Sequence, residues 1–232
     1  MLANVRMSQV KHTALDGSAA AKPSYEVIVI GASAGGIPAL IAIAAALPQD
    51  FPIPILVVQH LSARAPSMLP MILGWRTRLA VQWAADGEEL EPSHIYVAPP
   101  NRHLLIGPGG RLALSDGERI GWWRPAVDAL FRSVAAYHRE KAIGVVLSGA
   151  MWDGAAGMAA IATAGGITIA QDEASAGHFD MPAAACDFGH ADLVMSPVQI
   201  ASALRVLAER TTANENCWEA RGPTALDREQ AL

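Results

Sequence analysis

The sequence predicts an α/β fold: a doubly wound, mostly parallel sheet of the Rossmann-like three-layer kind, carrying a β-hairpin insertion. Three observations predict it. Six short apolar runs are nearly continuous in buried-type residues rather than alternating, the pattern of strands covered on both faces. Helical patterns sit between most of these runs. One segment breaks the alternation and reads as two strands around a glycine-rich turn.

The strand runs, in order, are EVIVI (26–30), IPILVV (53–58), HIYVA (94–98), AIGVVL (142–147), GITIA (166–170) and ADLVM (191–195). Helices are expected at 37–47, 124–138, 154–164 and 196–210. In the first, Pro38 falls in the opening turn, where proline is tolerated. In the second, Val127, Leu130, Phe131 and Val134 line one face. The last opens on Ser196-Pro197, a good cap and first-turn pair. The exception is HLLIGPGGRLALS (103–115), a hairpin turning on Gly107-Pro108-Gly109-Gly110. Residues 25–210 are expected to form one domain, with flexible tails at 1–24 and 211–232.

Composition restricts the function. Of 232 residues, 52% are hydrophobic and 17% charged, which allows a large core. Formal net charge is −5 with no lysine/arginine stripe, so no nucleic-acid partner is expected. Cys186 and Cys217 have neither metal-site nor disulfide-framework spacing. No metal and no cofactor are expected, and a reduced, cytoplasmic setting fits. Val27 to Gln49 carries no charged residue, but GASAGGIP interrupts it where a spanning helix needs continuous hydrogen bonding. A buried strand followed by a buried helix accounts for the same hydropathy, so no membrane insertion is expected.

In open α/β sheets the working site lies beyond the carboxyl ends of the strands. The first strand run is followed by Gly31-Ala32-Ser33-Ala34-Gly35-Gly36, the second by Gln59-His60, and the run at 142–147 by Ser148 through Gly154, including Asp153. A dinucleotide reading of GASAGG lacks the second glycine of GxGxxG, and no acid ends the second strand. Gly31-Ala32-Ser33-Ala34-Gly35 does match GxSxG, a turn that exposes a nucleophile. By itself it equally suits a tight turn in which Ser33 caps the helix. Asp153 equally suits a cap for the helix from Gly154. Serine, histidine and aspartate at three strand ends together form the set that acyl transfer requires. The order Ser, His, Asp differs from an α/β-hydrolase, for which His178 or His190 would have to serve; neither directly ends a predicted strand.

Several separate segments, in order, resemble the catalytic domain of CheB, the chemotaxis protein-glutamate methylesterase. They are GASAGG (31–36), VVQHL (57–61), DGEELEPSHIYVAPPNRHLLI (86–106), WRPAVDALFRSVA (123–135), GVVLSGAMWDGAAGM (144–158) and IAQDEASAGHFDMPAAA (169–185). The likeness spans roughly residues 25–208. It implies a Ser-His-Asp triad with Ser33 as nucleophile, His60 as base and Asp153 as the partner of His60. It implies hydrolysis of γ-glutamyl methyl esters on the cytoplasmic helices of methyl-accepting chemoreceptors, with methanol released, and in many members deamidation of receptor glutamines. Backbone N–H groups near Ala34 or at Ala150-Met151 would hold the oxyanion. Arg124 opens a segment similar to the family's RPSVD and is a candidate for binding a receptor carboxylate; a surface arginine at a helix start is the alternative. Trp122 and Trp123 pack on the hairpin or form a docking face.

The sequence departs from the family pattern at defined positions. Ala34 stands for threonine in GASTGG. Gly149-Ala150-Met151-Trp152 stands for a Gly-Met-Gly run followed by a polar residue, and bulky Trp152 is expected to narrow the pocket. Asp180 replaces the glycine of FGMP. The family often carries a phospho-receiver domain; the residues before Tyr25 are too few for one, so none is expected in this chain. Two other function classes stay open: an esterase or amidase of different substrate on the same triad, and a catalytically dead signalling binder.

Overall fold

The computed structural model describes residues 24–61, 67–188 and 190–219, with side chains described as far as Glu209. Along the chain run β1 (Val27–Ala32), α1 (Gly36–Ala46), β2 (Ile55–Gln59), α2 (Leu69–Gly74), β3 (Ala80–Trp83), β4 (His94–Val97), β5 (His103–Ile106), β6 (Leu112–Ser115), α3 (Val127–His138), β7 (Ala142–Val146), α4 (Ala155–Thr163), β8 (Ile167–Gln171), α5 (Asp180–Asp187), β9 (Leu193–Met195) and α6 (Pro197–Glu219). Seven strands form one parallel sheet in the order β3-β4-β2-β1-β7-β8-β9. β5 and β6 form the separate antiparallel hairpin.

Successive side chains of a strand point to opposite faces, and β1 shows why its sequence is apolar throughout. Ile28 and Ile30 pack with Leu40 and Ile43 of α1, Leu69 and Leu73 of α2, and Ile200 and Leu204 of α6. Val27 and Val29 pack on the other face with Leu130 and Phe131 of α3, Met158 of α4 and Met181 of α5. Each of these buried side chains contributes about 1.5–3 kcal/mol. The hairpin joins the second core through Leu104, Ile106 and Leu112.

Three elements fall outside the sequence expectation. β3 is an edge strand of four residues, and α2 has six with proline in its first turn. α5 is built from DMPAAACD, whose small residues give little periodic signal. α3 begins at Val127, not at residue 124, because the residue before Pro125 is biased away from helix and Ala126 is extended (φ −110°, ψ 138°). α6 runs to Glu219, past the tail boundary expected at 210. Thr211-Thr212 lowers helix propensity without breaking the helix, and Gly222-Pro223 is the first strong stop signal. The expected tail residues 1–23 and 220–232, and the Cys217 side chain, lie outside what is described. Among the described residues, no helix is long and apolar enough to cross a membrane.

Candidate active site

The sheet order places β1 between β2 and β7. α1 leaves the end of β1 toward one face, and α4 follows β7 toward the other. This is the topological switch point, where diverging connections open a crevice beyond the strand ends. The three neighbouring strands end at Ser33, His60 and the 148–153 loop. Ala32 is the register partner of Gln59, and the His60 N–H donates to the Ala32 carbonyl at 2.9 Å, so Ser33 and His60 leave adjacent strands side by side.

The serine turn is held by its neighbours rather than by its own side chain. The Ser33 N–H donates to the Ser148 carbonyl (2.9 Å), and the Ser148 hydroxyl donates to the Ala34 carbonyl (2.7 Å). Gln59 Nε2 donates to the carbonyls of both Ser33 (2.9 Å) and His60 (3.2 Å). Gln171 Oε1 in turn accepts the Ser148 N–H at 2.8 Å. Gly35 sits at φ +74°, the left-handed region glycine enters without penalty, and caps α1 two residues after the serine. Gly149 is required for a different reason. A Cβ there would come within 2.8 Å of Ser33 Cβ and 2.1 Å of Met181 Sδ. Among the described residues, the N–H groups of Ala34, Ala150 and Met151 donate to no protein acceptor, and the Ser33 hydroxyl has no hydrogen-bond partner.

His60 and Asp153 are in direct contact, His60 Nε2 lying 2.8 Å from Asp153 Oδ2, with both side chains only 4% exposed. The carboxylate also accepts the N–H groups of Val127 (2.7 Å) and Asp128 (3.0 Å), the free donors at the N-terminus of α3. An acceptor so placed assigns the ring proton to Nε2. It leaves Nδ1 with the lone pair, and Nδ1 is buried without a hydrogen-bond partner among the described residues. Trp123 lies flat on the imidazole, ring centroids 3.9 Å apart.

Asp128 is a further buried carboxyl beside this pair. Its Oδ1 accepts the N–H groups of Gly154 (3.0 Å) and Gly157 (2.7 Å), so α3 caps the start of α4 and fixes the loop bearing Asp153. Burial pushes the Asp128 carboxyl above the ordinary carboxylate range. The Gly157 N–H opposes this, and the Asp153 charge adds to it. A carboxyl raised in the folded state favours folding while protonated, and that contribution is lost as pH rises through its folded value. Asp128→Asn keeps the oxygen acceptor and removes the titration. Wild-type stability relative to this variant therefore falls as pH rises above the ordinary aspartate range and through the raised folded value, measurable by urea unfolding as a function of pH. Asp128→Ala, which strands two buried N–H groups, costs about 1–3 kcal/mol relative to Asp128→Asn at any pH.

The other expected residues occupy definite places. Arg124 is committed to the protein: Nε and Nη2 donate to Asn101 Oδ1 (3.2 and 2.9 Å), and Nη1 donates to the carbonyls of Asp116 (2.7 Å) and Gly117 (2.9 Å). It anchors the segment entering α3 rather than presenting a free cation. Met151 has φ +70°, so a residue with a Cβ stands where the backbone favours glycine, at a cost of about 1–2 kcal/mol. Trp152 is 61% exposed, at the surface of the loop and not packed into it. Asp180 is the first residue of α5 and is not among the positive-φ positions, so it replaces glycine without left-handed strain and suits the helix start. His178 supplies backbone to the 148 loop: its N–H donates to Ser148 Oγ (2.9 Å) and its carbonyl accepts the Gly149 N–H (3.0 Å). The His190 ring stacks on Phe188. Cys186 is a free thiol pushed up by burial, the setting of an unreactive cysteine. Among the described residues, no group of three or more His, Cys, Asp or Glu side chains is placed to hold a metal.

Sequence reading missed Ser148, Gln59, Asp128 and the stacking of Trp123. Ser148 and Gln59 did carry a signal, being polar residues directly at the ends of otherwise apolar strands. Asp128 was visible as an acid on the apolar side of a helix. Nothing local pointed Trp123 at His60.

Fold and site together are those of a doubly wound α/β domain with its site at the switch point of a parallel sheet. The family description CheB methylesterase matches residues 28–204. A protein of Leptospira interrogans provisionally named protein-glutamate methylesterase/protein-glutamine glutaminase is 41% identical over 178 residues, covering 77% of this chain and 92% of that protein. Protein-glutamate methylesterase/protein-glutamine glutaminase 2 of Anaeromyxobacter dehalogenans is 42% identical over 192 residues, 83% of this chain; the chain spans 56% of that protein. The crystal structure of the Thermotoga maritima CheB methylesterase catalytic domain aligns with a TM-score of 0.75 at 36% identity, covering 78% of this chain and 98% of that domain. The chain belongs to the CheB methylesterase family.

Proposed function

We propose that this chain is a protein-glutamate methylesterase that hydrolyses γ-glutamyl methyl esters on chemoreceptor helices, and deamidates receptor glutamines by the same route. The observation that carries it is the buried pair at the switch point: His60 Nε2 bound to Asp153, with the Nδ1 lone pair left for Ser33 on the adjacent strand end. Ser33 Oγ attacks the ester carbonyl as its proton passes to His60 Nδ1. Asp153 holds the tautomer and stabilises the imidazolium. The free N–H groups of Ala34 and of Ala150-Met151 are the donors available to the oxyanion. Collapse of the tetrahedral intermediate breaks the bond to methoxide, which takes the His60 proton and leaves as methanol. Water, deprotonated by His60, then cleaves the glutamyl-Ser33 ester and returns a free carboxylate. With glutamine the leaving group is ammonia. The unformed Ser33–His60 hydrogen bond fits this scheme, since such bonds commonly tighten only with substrate bound.

A second reading rests on the departures from the family pattern at Ala34, next to the serine, and at Met151 and Trp152 in the loop bearing Asp153: the same triad serving a different ester or amide. Release of methanol from methylated receptor, compared with turnover of small p-nitrophenyl esters, separates the two. The methylesterase reading expects methanol release with only slow p-nitrophenyl turnover. Efficient small-ester turnover without methanol release contradicts it.

A further inference from the structure

We propose that Trp123 is a positioning residue for the base, its indole fixing the plane of the His60 imidazole and stabilising the imidazolium that forms when Ser33 gives up its proton. This rests on the triad reading above. The two rings lie face to face, centroids 3.9 Å apart and planes 4° apart. A single hydrogen bond at Nε2 fixes one atom of the ring and leaves rotation about that bond open. A flat surface on the ring face removes that freedom and so keeps Nδ1 aimed. The electron-rich indole face attracts a cation more than a neutral ring, so the contact strengthens as the proton arrives. An interaction stronger in the transition state than in the ground state raises kcat.

The indole is itself held in place. Ile120 and Trp123 exchange N–H···O bonds of 3.2 and 3.1 Å, closing a tight turn with Gly121 at φ +60°. The next residue, Arg124, is tied to Asn101, Asp116 and Gly117. Three residues further on, the N–H groups of Val127 and Asp128 hold the Asp153 carboxylate. One short stretch therefore sets both the face and the edge of the imidazole. The charged groups around it are Asp153 at Nε2, Asp128 turned to the start of α4, and Arg124 turned to the 101 and 116–117 acceptors.

The test is steady-state methanol release and the rate of Ser33 phosphonylation by a fluorophosphonate, in Trp123→Phe and Trp123→Leu, with Ser33→Ala alongside and folding checked by circular dichroism. Leucine fills space without a π-face. Trp123→Leu is expected to lose about 3- to 30-fold in kcat with KM unchanged. Trp123→Phe is expected to recover most of that loss, and phosphonylation to follow the same order. Equal loss in Phe and Leu variants, wild-type kcat in Trp123→Leu, or a change confined to KM overturns the proposal. Should Trp123→Leu fail to fold, fluorinated tryptophans placed at 123 drain the ring face while keeping its shape. A stepwise fall in kcat supports the proposal, and a flat response overturns it. Activity persisting in Ser33→Ala overturns the triad reading instead, which keeps the two failures distinct.

Discussion

Ser33→Ala is expected to lower methanol release from methylated receptor by at least about four orders of magnitude while leaving the circular dichroism spectrum and melting temperature within error of wild type. The physical reason is the separation of jobs at this turn. The shape of the turn comes from the Ser33 backbone, through bonds to Ser148 and Gln59, and from Gly35. The hydroxyl takes part in none of these, so its removal subtracts the nucleophile without unbuilding the strand end. Methanol release near the wild-type rate from the folded variant contradicts the mechanism.

Asp153→Asn is expected to lose about 10⁴-fold in kcat and, unlike Ser33→Ala, to lose stability as well. The carboxylate accepts three donors: His60 Nε2, Val127 N and Asp128 N. An amide cannot accept all three. If its nitrogen faces the imidazole, the ring must put its lone pair on Nε2 and its proton on Nδ1, and the base is lost. If its nitrogen takes the Oδ1 place, it meets the Asp128 N–H and leaves that buried donor unpaired, at a cost of about 1–3 kcal/mol, while the oxygen still accepts from His60 and Val127. The ¹⁵N chemical shifts of His60 report the tautomer directly. Urea unfolding reports the second cost. A variant with wild-type kcat, or with lost kcat and an unchanged tautomer and stability, contradicts this account of Asp153.

The central strands and the hairpin were legible because burial on two faces demands unbroken apolar runs, and because glycines and prolines mark the turns. Ser33, His60 and Asp153 were legible as polar residues at the ends of such runs. That they could meet at one rim followed from those strand-end positions, but no local pattern says that β1 lies between β2 and β7. β3 and α2 were missed because a four-residue edge strand and a six-residue helix are too short to show a period. α6 outran its expected end because threonines and asparagines weaken a helix without stopping it. Arg124 illustrates a further limit. A sequence shows a cation at a helix start, and only the fold shows that Asn101 and two carbonyls already claim it. The positive φ of Met151 was likewise hidden in the sequence, although the departure from glycine at that position marked where to look.

The most direct test of the central claim, that His60 activates Ser33 as a nucleophile, is fluorophosphonate labelling of the folded protein with the modified residue mapped by mass spectrometry. The expected result is a single adduct on Ser33, with labelling strongly reduced in His60→Gln. An adduct on another serine, no adduct at all, or labelling of Ser33 at an unchanged rate in His60→Gln contradicts it.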